Sequence, residues 1–341
     1  MSAPRAGRSW RHRLLAVALS LLVALLAGEV LVRVLVGAPL PERLPLLMMR
    51  ANRHRGWMMV PGRDHYTYQH RVHVNAHGLR GPEIGPKAPG TVRVLALGDS
   101  LVYGQGVADD ATIPALLEST LVARDPQARR WEVINGGHRA YDTRQELGLV
   151  EELATELQPD IVLLFWFWND VIERDIETTY ERLSARGEVA FDTGDRLQGW
   201  SRVEWEAEQL LRRSAFLMFL YDARQRWEAT PWPAEVFAGG IARLEGYLLR
   251  FAALGKCRGF RPVFVAIPEA NLLIGADQSG PLTAEALALA ARLGFPTLDL
   301  LPPMQELVER RGELPVLPFD GHYRPDANRA MAEAVAAFLL R

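Results

Sequence analysis

Val92-Arg93-Val94-Leu95-Ala96-Leu97-Gly98-Asp99-Ser100 is the stretch that decides how this chain is read. A short apolar run stopped by a glycine predicts a buried strand, since it is too short for a core helix. The same reading recurs outward. Ala111 to Val122 predicts a helix, and Trp131 to Ile134 a second strand closed by Asn135-Gly136-Gly137. Thr143 to Leu157 has helical spacing, with Thr143 as N-cap and Glu146 three residues on. Ile161 to Trp168 predicts a third strand, Ile241 to Leu254 a helix, and Pro262 to Ile267 a fourth strand. Thr283 to Leu293, Thr297 to Leu300 and Pro325 to Leu340 complete the series as helix, strand and helix. Strands alternating with helices imply βαβ units. The expected fold is α/β: a three-layer α/β/α sandwich around a parallel sheet of about five strands, covered on both faces.

The N-terminus reads differently. Arg5, Arg8, Arg11 and Arg13 precede an apolar run from Leu14 to Val36, broken by charge only at Glu29 and Arg33. These two sit four apart, on one helical face, where they can pair. The run suits one membrane-spanning helix of about 20 residues. The basic flank orients it with the N-terminus inside, although Arg43, Arg50, Arg53 and Arg55 beyond it weaken the asymmetry. A cleaved signal peptide is the alternative; the small-residue site Val36-Gly37-Ala38 is followed by Pro39, which opposes cleavage. The expected organisation is a basic tail over 1–13, a signal-anchor helix over 14–36, a linker and extended lead-in over 37–90, and the α/β domain over 91–341. That places the α/β domain outside the cytoplasm.

The 341 residues are 49% apolar and 23% charged, enough for a substantial core. A net charge of −2 offers no basic excess for nucleic acid. The lone Cys257 excludes an intrachain disulfide and a cysteine-based metal site. His54, His65, His70, His73 and His77 crowd the lead-in. In a strand, however, His70 and His73 point to opposite faces, so the expectation is structural or solvated histidines and no metal. Residues 171–236 interrupt the rhythm with Trp200, Trp205, Trp227, Trp232 and the apolar run Ala215 to Tyr221. They read as a helical cap that packs on the core, or forms a lid or acceptor groove, or touches the membrane surface.

Ligands of open parallel sheets sit at the carboxyl ends of the strands, and four spots lie there. Ser100 follows the first strand on a tight turn. Asn135 to Tyr141 follows the second, where a loop can offer a backbone N–H. Asn169-Asp170 follows the third, where an amide can donate to a developing oxyanion. Asp320-Gly321-His322 lies before the last helix, where a carboxylate can hold an imidazole tautomer. Together they make a parts list for acyl transfer.

Val94 to Ser100 as first block, with these companions and the lead-in Val74-Asn75-Ala76-His77-Gly78-Leu79-Arg80-Gly81, resembles the SGNH/GDSL hydrolases, most of all a membrane-anchored bacterial group. The likeness covers about residues 66–341. It implies Ser100 as nucleophile, His322 as general base and acid, and Asp320 orienting it. It implies the Ser100 N–H and the Asn169 amide as oxyanion donors. The family's second block has a Gly five residues after its Asn; here that position is Ala140, whose N–H is retained, with Gly136 or Gly137 as substitutes. The family usually places its Asp three residues before the His, where this chain has Phe319. Its third block has a Gly two before the Asn, where this chain has Phe167. Asp99, Tyr103 and Trp168 are candidate substrate-pocket residues.

The expected function is a serine esterase or O-acyltransferase acting through an acyl-enzyme on short esters, acetyl above all, such as those of envelope carbohydrate. It needs no cofactor and is expected at the bacterial inner membrane, facing the periplasm. The alternatives are a binding protein on a decayed scaffold and a lipid or lipid-linked-sugar esterase. A flavodoxin-like nucleotide binder is disfavoured, since no glycine-rich phosphate loop follows the first strand.

Overall fold

The structure, a computed structural model, describes residues 9–191, 200–228, 237, 239–275 and 279–341. Arg5, Arg8, Trp232 and parts of the expected cap lie outside them.

A long helix, α1 (Ser9–Leu35), opens the chain. Two hairpins follow: β1 (Met48–Asn52) with β2 (Gly56–Met59), and β3 (Asp64–Thr67) with β4 (His70–His73). The rest runs β5 (Thr91–Leu97), α2 (Ser100–Tyr103), α3 (Ile113–Arg124), β6 (Arg130–Asn135), α4 (Thr143–Leu157) and β7 (Ile161–Trp166). Then come α5 (Ile176–Arg186), β8 (Val189–Ala190), α6 (Trp200–Leu211), α7 (Ala215–Glu228) and α8 (Gly240–Arg258). β9 (Arg261–Ala266), α9 (Gly280–Arg292), β10 (Thr297–Asp299), α10 (Leu301–Arg311) and α11 (Pro325–Leu339) close it.

The central sheet is parallel, in the order β10-β9-β7-β5-β6. Strand periodicity sends alternate residues to opposite faces. Leu95 and Leu97 of β5 join Val162, Leu164 and Trp166 of β7 in a core closed by α4, α8 and α9. Val94 and Ala96 join Leu163 and Phe165 in a second core closed by α3, α10 and α11. This is the three-layer α/β/α sandwich expected.

The structure departs from the sequence reading in four places. Residues 46–80 are not a linker: Leu47, Met49, Trp57, Met59, Val72, Val74 and Leu79 belong to the first core. The expected extended segment from Tyr66 to Val74 folds back as the β3–β4 hairpin, with Tyr68 at its tip. The third strand stops at Trp166, because the Asp170 carboxylate takes the Phe167 N–H at 2.9 Å and turns Trp168–Val171 into a 3₁₀ helix. α4 is capped by Asp142, not Thr143. The Asp142 carboxylate takes the Gln145 N–H and the Gln145 side chain takes the Asp142 N–H, a reciprocal box. Glu146, expected in the cap, is turned into the interior and fully buried.

Within the expected cap, α5 packs on β1 and β2, β8 pairs with β1, and α7 packs on α1. Among the described residues one helix, Trp10–Leu35, is long and apolar enough to cross a membrane. It fits a membrane anchor or a signal sequence.

Candidate active site

β5 ends at Leu97, and the chain turns through Gly98 and Asp99 into α2. The Asp99 carboxylate accepts the Leu101 N–H at 2.8 Å, so it caps the turn that presents Ser100. As the first helical residue, Ser100 has no intrahelical acceptor for its own N–H.

Leu317–His322 forms a tight loop before α11, closed by the Leu317 N–H on the His322 carbonyl at 2.7 Å. Gly321 is left-handed at φ +86°, the conformation that this reversal requires. The two-residue spacing lets one carboxylate oxygen, Asp320 Oδ1, accept the His322 backbone N–H at 3.1 Å and also meet ring Nδ1. The opposite ring nitrogen, Nε2, lies 2.7 Å from Ser100 Oγ. Ser100, His322 and Asp320 are thus brought into one relay from chain positions 222 residues apart. Burial would raise the Asp320 carboxyl. The bonds from His322 and Tyr68 outweigh it and hold the group down at about 2, so it is an anion at any working pH.

Asn169 follows β7 and donates its amide Nδ2 to Asp99 Oδ2 at 3.3 Å, beside the Ser100 turn. The β6 loop reaches the same place through the His138 N–H, which bonds Gly98 O at 3.0 Å. Gly137 is required there for closeness: a Cβ would lie 2.1 Å from the Tyr103 nitrogen. The Gly136 and Gly137 N–H groups are committed to Ala96 O and Asn135 Oδ1, so neither substitutes as an oxyanion donor. Ala140 adopts φ +56°, the left-handed conformation that the expected glycine would take freely.

Two of the three pocket candidates are corrected. Asp99 is 2% exposed and engaged inward with Leu101 and Asn169. Tyr103 is fully buried, and its hydroxyl meets His65 Nε2 at 2.5 Å. Neither faces a pocket. Trp168 is partly buried against the first core, with its ring tilted against Phe167 and Phe237. A groove of about 590 Å³ between the lead-in and β6, lined by Arg80, Glu83, Asp109, Glu118 and Arg130 among others, includes none of the relay residues.

Three features escaped the sequence reading. The Tyr68 hydroxyl donates to Asp320 Oδ2, on the side away from His322. Arg80, nearly fully buried, donates to the carbonyls of Tyr103, Gly104 and Val107 and pairs with Asp109 at 2.7 Å, fixing the loop after Ser100. Glu146 and Asp170 lie buried near Asp99. Burial, then the neighbouring carboxylates, pushes both well above the usual range. A buried tyrosine hydroxyl needs an acceptor, and Arg80 stands in the quoted lead-in; these were the available signals.

No family model and no curated protein matches the chain. Solved structures do. One is a member of the lipolytic protein G-D-S-L family from Veillonella parvula, at 12% identity and TM-score 0.40, covering 71% of this chain and 95% of that one. Another is the acetyl xylan esterase AlAXEase, at 11% and 0.44, covering 72% and 98%. A third is LAE5, an alpha/beta hydrolase enzyme from the metagenome of Lake Arreo, at 14% and 0.44, covering 72% and 94%.

Proposed function

We propose that this chain is a serine esterase or O-acyltransferase of the SGNH type. The observation that carries the reading is the relay from Asp320 through His322 to Ser100 Oγ. With Nδ1–H held by Asp320, the Nε2 lone pair takes the Ser100 proton as Oγ attacks an ester carbonyl. The tetrahedral oxyanion is met by the N–H groups of Ser100 and Ala140 and by the Asn169 amide. His322 then returns the proton to the departing alkoxide, and the alcohol leaves. Water, or a sugar hydroxyl, gives its proton to His322 as it attacks the acyl carbon; the acyl–Oγ bond breaks, and His322 returns the proton to Ser100 Oγ.

Crowding of Phe167 and Trp168 beside Asn169 favours a short acyl group, acetyl above all, and an ester of envelope carbohydrate is the substrate proposed. Retention of α1 is supported by its stitching into the fold: Val32 is buried, and Arg33 donates to Arg213 O at 3.0 Å. The proposed setting is therefore a bacterial inner-membrane protein with residues 37–341 outside the cytoplasm. A decayed scaffold is disfavoured by Ala140, which keeps the loop conformation of the missing glycine.

A fluorophosphonate probe on the full chain in detergent tests the reading. Labelling of the parent, lost in Ser100→Ala and His322→Ala, is expected. A folded parent that stays unlabelled overturns it. Release of acetate against longer acids from nitrophenyl esters then separates the short-acyl reading from the lipid one.

A further inference from the structure

α7 starts on the side of α1. The Glu29 carboxylate of α1 accepts the Ala215 and Phe216 N–H groups at 3.1 and 3.0 Å and the Ser214 hydroxyl at 2.7 Å. It therefore adds, from another helix, to the cap that Ser214 gives α7 by accepting the Leu217 N–H at 3.2 Å. Arg33 pairs with the same carboxylate at 2.6 Å. The approach is close: a Cβ on Gly28 would sit 2.9 Å from the Phe216 ring.

The height of this junction follows from α1. The apolar residues Leu14 to Gly28 rise about 22 Å at 1.5 Å each, whereas a hydrocarbon core is about 30 Å thick. Counted from the inner basic residues Arg11 and Arg13, Glu29 lies about 8 Å short of the outer hydrocarbon boundary. The first turn of α7 is consequently in the outer part of the hydrocarbon, about 8 Å beneath the headgroups.

α7 buries Ala215 and Met218. On another face Phe216, Leu220, Ala223 and Trp227 recur at helical spacing as one stripe. The stripe touches α1 at Phe216 and then continues uncovered, with Leu220 48% and Trp227 91% exposed. Leu217, Phe219 and Tyr221 widen the apolar surface.

We infer that α7 lies in the outer membrane–water interface, with the Phe216–Leu220–Ala223–Trp227 stripe seated in the phospholipid leaflet that α1 crosses. The inference rests on α1 spanning the bilayer. Two features of the junction select lipid as the occupant: the stripe is continuous with the membrane-spanning helix, and it starts at hydrocarbon height, beneath the headgroups. A tryptophan at its far end is the residue type that interfaces favour. The seat also reaches the chemistry. α6 directly precedes α7, and its neighbour Arg212 lies 5.9 Å over the Tyr68 ring, whose hydroxyl holds Asp320. The relay is thereby held at a fixed height above the leaflet.

The test uses the full chain with Cys257→Ser, reconstituted in vesicles of phosphatidylethanolamine and phosphatidylglycerol. Nitroxide labels are placed singly at Leu220→Cys, Ala223→Cys, Gln225→Cys and Leu22→Cys, with circular dichroism to show that each variant folds. Collision with oxygen reports lipid, and collision with a nickel chelate reports water. The expected result is an oxygen-to-nickel ratio several-fold higher at 220 and 223 than at 225, approaching that at 22. Equal, nickel-accessible values at 220, 223 and 225, with 22 still in lipid, overturn the inference and spare the α1 reading. Labels at 220 and 223 shielded from both reagents, with dipolar broadening between copies, put a second copy on the stripe and overturn it as well. A nickel-accessible label at 22 removes both readings.

Discussion

Tyr68 stands 252 residues before the carboxylate that it holds. Its hydroxyl on Asp320 helps to keep that carboxyl down at about 2. A depressed carboxyl contributes stability above its unfolded value and loses it as pH falls through the folded one. Tyr68→Phe raises the Asp320 value, so the loss of stability on acidification should begin at a higher pH than in the parent. At neutral pH, with one hydrogen bond to a charged group removed, kcat/KM should fall by up to about tenfold. Acid-denaturation curves and neutral-pH rates of both proteins check this; superimposable curves with equal rates would sink it. Ala140 makes the opposite prediction. Left-handed backbone costs a non-glycine residue about 1–2 kcal/mol, so Ala140→Gly should leave probe labelling of Ser100 intact and stabilise the fold by about 1 kcal/mol in denaturant titration.

At the scale of elements, the Ser100 turn is held by its neighbours more than by itself. α2 is four residues long, and its register depends on the Arg80 guanidinium and the β6 loop. Arg80→Met leaves buried carbonyls at Tyr103, Gly104 and Val107 without that donor. It should cost about 3–5 kcal/mol and abolish labelling, read from melting and probe gels. Gly137→Ala drives a methyl into the Tyr103 backbone and should cost about 1–3 kcal/mol, the usual overpacking range. These supports also mark the limit of legibility. All five strands of the central sheet and the Ser/His/Asp companions were legible because apolar runs end in punctuation and because those residue types are few. The supports were not. Arg80, Arg55 and Arg93 are buried arginines that read as surface charge in a composition-based pass. The hairpin core residues Leu47, Met49, Trp57 and Met59 stand among arginines and short turns, so no single run announces a strand. α10 begins Leu301-Pro302-Pro303, which reads as a break, although proline suits the first turn of a helix.

For the whole molecule, buried titratable groups set opposite pH limits. His65 and His138 are held down to about 3, first by burial and then by nearby arginines. The unfolded chain takes those protons near 6.5, so this contribution is lost as pH falls from there towards 3. Asp99, Glu146 and Asp170 are raised, with burial the largest cause. The native state keeps their protons where the unfolded state has released them, so stability is lost as pH rises above the usual carboxylate range. Glu146→Gln removes one such loss. Its stability advantage over the parent should widen as pH rises above the usual carboxylate range, measured by denaturant midpoints; a constant difference would mean that Glu146 is ionised in the native state.

The separation of Ser100 from His322 also fixes an order in time. A ribosome adds about 5–20 residues per second, so the 222 residues between them take about 10–45 s to emerge. On the proposed mechanism the serine is throughout that interval an ordinary alcohol, because its base has not yet been made. Reactivity would switch on only when the last strand, the Leu317–His322 loop and α11 have been delivered and docked. A nascent chain would in this sense be safe by construction: it could neither take up nor pass on an acyl group before His322 is in place.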